Sequence, residues 1–187
     1  IGESVLIFGV GGVGLNIAQA ASMVSAYPII GIDIHDYKIN LGKQFGLTHG
    51  VLSNSKNYIS EIKDILNNKN ADVVFETTGL SKNIEEAYNL TAAKEGGFNG
   101  KTILVGVPKS KVTIYSLPLH FGKVLAGSHG GSAIPDLDIP KYIRLIKNNK
   151  MTIKDLVTHE FKLSEINEAI DLFRSGQAGR IIIKINP

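Results

Sequence analysis

The run Val5-Leu-Ile-Phe-Gly-Val-Gly-Gly-Val-Gly14, followed by an apolar helical stretch and then Ile29-Ile-Gly-Ile-Asp33, constrains this chain more than any other feature. A continuous apolar strand leads into Gly9-x-Gly11-x-x-Gly14, and an acidic residue closes the next strand about 20 residues later. Each glycine has its own task in such a turn. Gly9 permits a tight exit from the strand, Gly11 keeps a side chain out of a ligand's path, and Gly14 lets the helix approach the sheet. Free amides at the helix start, around Gly12 and Val13, sit at the positive end of the helix dipole. This layout suits a dinucleotide held by its pyrophosphate, with Asp33 accepting hydrogen bonds from the adenosine ribose. The competing reading is a glycine-rich structural turn in another α/β domain.

Charge then narrows the ligand. The Asp33 carboxylate repels and crowds a 2′-phosphate, so NAD is expected rather than NADP. Lys38 has two readings, a partner for the ribose or phosphates and a solvated lysine on a helix face. His35 reads as a surface residue. Small residues also follow the later strands, in Thr77-Thr-Gly79, Gly106-Val-Pro108 and Gly127-Ser-His-Gly-Gly131. Ligands of open parallel sheets lie against the carboxyl ends of the strands, so these turns are where the adenine and nicotinamide should rest.

Composition excludes several other classes. Apolar residues make up 43% and charged residues 20% of the 187, which supports a packed core and argues against disorder. The net charge of +3 comes from scattered basic residues with no aromatic-interleaved patch, so no nucleic-acid partner is expected. With no cysteine there is no disulfide framework, thiol nucleophile or thiolate metal site. No apolar run reaches the roughly 18 to 20 residues of a membrane helix. The opening Ile1-Gly-Glu-Ser4 lacks a basic and apolar leader, so a cytoplasmic location is expected. Its abrupt entry into a core strand also leads us to expect sequence upstream.

Periodicity predicts strands over Val5–Phe8, Ile29–Ile32, Gly50–Leu52, Ala71–Phe75, Thr102–Val105 and Lys123–Ala126. Helices are expected over Val13–Ser25, with Ile17, Ala18, Ala21 and Val24 facing the sheet. Others run from a cap at Asp36 to Phe45, over Tyr58–Leu66, and from Ser81 to about Ala93. Glu95–Gly100 reads as a loop, and Ser132–Asp138, with Pro135 and Pro140 nearby, as a connection. Helices over about 138–148 and 164–175 and a strand over Ile181–Ile185 complete the chain. The alternation implies an α/β fold: a doubly wound, mostly parallel six-stranded sheet with helices on both faces and a C-terminal helix-strand extension. We divide it into a dinucleotide-binding domain over 1–128 and an extension over 129–187.

With those turns in place, the chain resembles the cofactor-binding, Rossmann-type part of the medium-chain dehydrogenases, the zinc-dependent alcohol and polyol dehydrogenases. The matching segments are Phe8–Gly14, Gly31-Ile-Asp33, Asp72-Val-Val-Phe-Glu-Thr-Thr-Gly79, Leu104-Val-Gly-Val-Pro108, Gly127-Ser128 and Phe173-Arg-Ser-Gly-Gln-Ala-Gly-Arg180. The resemblance implies that Val13 packs near the cofactor while Asp33 and Lys38 hold its adenosine ribose. Thr77 and Thr78 would line the adenine and nicotinamide-ribose side. Backbone groups of Val105, Gly106 and Val107 and of Ser128, His129 and Gly130 would surround the nicotinamide and fix its carboxamide. Arg180 would reach the pyrophosphate; its other reading is a surface arginine introducing the last strand.

Members of that family carry a separate catalytic domain with zinc ligands, absent from these residues. His49, His120, His129 and His159 form no ligand-spaced set, and His129 alone sits at the nicotinamide end. The resemblance therefore implies NAD binding here, no catalytic or metal residue within the chain, and zinc only in the catalytic domain. An alcohol or polyol substrate and a homo-oligomer are implied for the intact protein. Ile114–Leu119, Val124 and Leu125 offer apolar surface for pairing or serve as ordinary core. In the family the polypeptide beyond His129 returns to the catalytic domain, which would leave the Ile181–Ile185 strand an open apolar edge here. A stand-alone NAD(H)-binding regulatory module is the alternative function, and a zinc-free reductase a third.

Overall fold

The computed structural model describes residues 1–93 and 99–185, and these fall into two compact units, Ile1–Ser132 and Ala133–Pro187. In the first, six parallel strands alternate with helices: β1 (Val5–Phe8), α1 (Gly12–Met23), β2 (Ile29–Asp33), α2 (Asp36–Gln44), β3 (His49–Leu52), α3 (Tyr58–Ile65), β4 (Val73–Glu76), α4 (Ser81–Leu90), β5 (Lys101–Leu104) and β6 (Val124–Gly127). The sheet order is β3-β2-β1-β4-β5-β6. The order reverses between β1 and β4, which makes the carboxyl end of β1 the switch point where such sheets bind ligands.

Every residue of β1 and β2 is buried, as expected of strands covered on both faces. Alternate positions divide the core. Leu6, Phe8, Ile30, Ile32, Val51 and Val74 pack with Tyr58 and Ile62 of α3, with Leu66 just after it, and with Ala87 and Leu90 of α4. The opposite face, with Ile7, receives α1. The stripe of α3 is as its spacing predicts, with Ile59 and Ile65 at the margin of that cluster. In α1 the large buried side chain is Leu15, while Val24 lies beyond the helix and is exposed, contrary to its expected place against the sheet.

Other boundaries move for local reasons. Asp36 does not cap α2: it is the first helical residue, and its carboxylate accepts from Asn40 Nδ2 at 2.7 Å. β4 begins at Val73, and α4 stops at Leu90 rather than near Ala93. There Thr91 pairs with Ala71 in an isolated parallel bridge, and its hydroxyl bonds the Ala87 carbonyl and Thr102 Oγ1. The loop expected over Glu95–Gly100 lies, but for its last two residues, outside the described residues.

The second unit contains α5 (Pro135–Lys147), β7 (Val157–Lys162), α6 (Ile166–Arg174) and β8 (Arg180–Lys184). The connection expected over Ser132–Asp138 is helical from Pro135 onward. Proline costs nothing at the first helical position, where its missing N–H has no acceptor, and Asp138 Oδ2 accepts the Ile134 amide at 2.9 Å. β8 lies parallel to β7 in a two-stranded sheet, so one of its edges is paired and the other stays open, and α6 packs on both strands. No helix among the described residues is long and apolar enough to cross a membrane.

Two stability predictions follow from the first unit. Ile62 is fully buried in the core cluster, so Ile62→Ala should cost about 2–5 kcal/mol in urea unfolding, and a near-neutral result would contradict this packing. Lys123 is also buried, with its ammonium 4.1 Å from the centroid of the Tyr88 ring. Burial pushes it down to about 8 from the usual 10.5. Between those values the unfolded chain binds more protons, so this group makes stability rise with pH. Burial of Tyr37, Tyr58 and Tyr88 raises their phenols above the usual 10.0 and gives the opposite slope beyond that pH. Urea midpoints of the wild type should therefore rise between pH 8 and 10, and Lys123→Met should abolish that rise.

Candidate dinucleotide-binding site

The loop between β1 and α1 uses its three glycines for three physical reasons. Gly9 has φ +89°, and a Cβ there would lie 2.5 Å from Thr77 Oγ1. A Cβ on Gly14 would lie 2.1 Å from the Gly9 carbonyl oxygen, so α1 sits directly on the loop that precedes it. Gly11 differs from both. Its φ is −82°, and nothing lies within 4 Å of its Cβ position. No neighbouring atom forces glycine at this position, which is the N-cap of α1 and faces open space.

The amides beside that space have no protein acceptor within the helix ladder. The first bond of α1 runs from the Leu15 amide to the Gly11 carbonyl, and no side chain caps the helix. No acidic residue lies in the first turn to repel an anion. Val13 is exposed at this end, and Gly12 is half-buried.

Asp33, at the end of β2, is buried and tied to the same loop. Its Oδ2 accepts the Val10 amide at 2.9 Å and its Oδ1 the His35 amide at 3.1 Å. Each oxygen keeps acceptor capacity for a hydroxyl. The Lys38 ammonium reaches back to 3.9 Å from Oδ2 with 13% of its side chain exposed, so it is not a solvated lysine. Beside them the Tyr37 ring lies 5.8 Å from that of His35. Burial first, and then the charge on Asp33, push the Tyr37 phenol up to about 12.

On the other side of β1, Thr77 and Thr78 follow β4. The Thr77 hydroxyl lies 2.9 Å from the carbonyls of both Phe8 and Gly9. The Thr78 hydroxyl donates to Glu76 and accepts from Leu80 N at 3.2 Å and Asn83 Nδ2 at 2.9 Å. Both hydroxyls are thus engaged by the protein, and these threonines offer a ligand their methyl and backbone surface. Glu76, which the sequence reading did not single out, is fully buried and holds this turn. The signal was a charged residue ending an otherwise apolar strand.

An open pocket of about 450 Å³ lies beyond β5 and β6, lined by Leu104–Pro108 and Gly127–His129. The Val105 and Gly106 amides are held by the Glu76 carbonyl at 2.8 and 2.9 Å, and Val107 beside them is exposed. The Ser128 amide bonds the Leu104 carbonyl at 2.8 Å, and Ser128 Oγ accepts Gly131 N at 3.2 Å. His129 and Gly130 are exposed. Arg180 opens β8 in the second unit, exposed, its carbonyl accepting from Thr158 Oγ1 at 3.4 Å. Among the described residues no group of three or more His, Asp or Glu side chains is placed to hold a metal ion.

The model of the zinc-binding dehydrogenase family matches residues 12–148. Alcohol dehydrogenase-like 7 of Arabidopsis thaliana is 37% identical over 187 residues, 97% of this chain and 47% of that protein. S-(hydroxymethyl)glutathione dehydrogenase of Paracoccus denitrificans is 31% identical, over 98% of this chain and 50% of its own length. The crystal structure of benzyl alcohol dehydrogenase from Acinetobacter calcoaceticus superposes with a TM-score of 0.88 at 29% identity, covering 99% of this chain and 50% of that one. The chain spans about half the length of the curated relatives it matches. By its sheet order, its switch-point loop and this match, the chain belongs to the zinc-binding dehydrogenase family and forms its NAD-binding, Rossmann-type portion.

Proposed function

We propose that these residues hold and orient NAD in a dehydrogenase that transfers a hydride between an alcohol or polyol and the cofactor. The observation that carries this reading is the open space at Gly11, beside uncapped amides and across from the buried Asp33 carboxylate. The amides of Gly12 and Val13 donate to the pyrophosphate, and the dipole of α1 favours its charge. Asp33 accepts from the adenosine ribose, with Lys38 steadying the carboxylate. The backbone of Val105, Gly106 and Val107 and the Ser128–Gly130 turn border the nicotinamide, and Thr77 and Thr78 line the adenine and nicotinamide-ribose side. Bound NAD supplies the hydride acceptor. Polarisation of the alcohol oxygen by zinc falls to a catalytic portion outside these residues, which the stretch from about His129 onward helps to complete.

The intact enzyme is proposed to be cytoplasmic and homo-oligomeric. β6 is an outer strand of the sheet, and Tyr115, Leu117 and Phe121 before it are exposed. The 187-residue chain alone should form no NADH from alcohols, and alcohol-dependent turnover by it would refute this division of labour.

Gly11→Ala and Gly14→Ala separate the ligand's requirements from those of the fold. The first, at a helix N-cap with no atom near its Cβ position, should change stability by less than about 1 kcal/mol and weaken NADH by about tenfold or more, equivalent to 1.4 kcal/mol. The second should cost about 1–3 kcal/mol of stability, because its Cβ meets a carbonyl. Equal stability losses in the two would contradict the open space at Gly11. At Asp33, a 2′-phosphate about 4 Å away is disfavoured by about 1–4 kcal/mol, depending on solvent screening. Titration of Asp33→Asn with NADH and NADPH should show the preference for NADH falling about tenfold or more, and an unchanged ratio would remove the charge argument.

A further inference from the structure

Glu76 is an acidic residue, wholly buried and at the end of a central strand, where an apolar residue would cost less to bury. Its hydrogen bonds give the reason for a carboxylate. Oε1 accepts the Thr78 amide at 2.7 Å and the Thr78 hydroxyl, and Oε2 accepts the Gly79 amide at 3.0 Å. Its own carbonyl accepts the amides of Val105 and Gly106. One residue therefore braces the turn after β4 with its side chain and the turn after β5 with its backbone.

The two turns touch with no side chain between them. A Cβ on Gly79 would lie 2.3 Å from the Val107 carbonyl oxygen, and one on Gly106 would lie 2.3 Å from the Gly79 nitrogen and 2.9 Å from Glu76 Oε2. Displacement of residues 78–79 must move residues 105–107, which line the pocket beyond β5 and β6. In the sheet order both turns lie across β1 from Asp33.

We propose that Glu76 is a positioning residue for the nicotinamide half of the cofactor. It acts through the Thr78–Gly79 turn on the backbone of Val105–Val107 and touches neither cofactor nor substrate. This rests on the reading of the site given above. Glu76→Gln keeps the volume but replaces one acceptor by an NH2 group facing a backbone N–H. One buried amide then loses its partner, and the turn must shift.

The test is calorimetric titration of the 187-residue chain and its Glu76→Gln variant with NADH and with AMP, which carries only the adenosine-phosphate half. NADH should bind about tenfold or more weakly to the variant, while AMP changes less than about threefold. Equal losses for both ligands, or none for either, would overturn the proposal. If Glu76→Gln does not fold, Thr78→Val, which removes the hydroxyl that donates to Oε1 and accepts from Leu80 N and Asn83 Nδ2 while leaving both backbone amides on Glu76, should give the same NADH-selective loss at smaller size, and its absence there would equally overturn it. Failure of the wild-type chain to bind either ligand would remove the parent reading of the site. Normal wild-type binding with an unselective variant removes only the role of Glu76.

Discussion

The buried hydrogen bond from the Val10 amide to the Asp33 carboxylate fixes where the glycine loop between β1 and α1 starts. It joins the residue that follows β1 and its first glycine to the last residue of β2, one register step beyond the Phe8–Ile32 pair. Across the loop, the Thr77 hydroxyl meets the carbonyls of Phe8 and Gly9. The loop is thus held from both sides before a ligand arrives. In the proposed site, a loop held in this way loses less entropy on binding an anion. There Asp33 has two tasks, the observed one toward the loop and the proposed one toward the ribose. Its substitution perturbs both, which makes the ratio between cofactors a better readout than either affinity alone.

The same economy runs through the rest of the site. Hydroxyls and carboxylates near the ligand-facing surface are largely occupied by the protein's own backbone, as at Thr77, Thr78 and Glu76. What faces outward is mostly amide, glycine and aliphatic surface. In the proposed function such a surface serves to grip and orient a cofactor.

Sequence carried the first unit well because burial there follows local patterns. Val5–Phe8 and Ile29–Ile32 are continuous apolar runs, and only a strand covered on both faces tolerates them. The helical spacing of Ile59, Ile62, Ile65 and Leu66 likewise admits one face. Pattern failed where the deciding partner is distant. Thr91 ends α4 by pairing with Ala71, twenty residues away in sequence. Pro135 read as a breaker, although the first position of a helix accepts it. β7, Val-Thr-His-Glu-Phe-Lys, alternates only weakly in hydrophobicity and becomes a strand through pairing with β8 across α6. In the site, the glycines and Asp33 were legible from spacing alone. Glu76 was not, because its role is defined by four amides that the fold brings together.

The central claim is that free backbone donors at the start of α1 grip a diphosphate while one carboxylate at the end of β2 reads the adjoining sugar. Nitrogen-15 NMR of the labelled chain during NADH titration tests it most directly. The amide resonances of Gly11, Gly12 and Val13 should shift together with those next to Asp33, and saturate at the same ligand concentration. Saturable binding that leaves those amides unmoved and shifts resonances elsewhere would contradict the account.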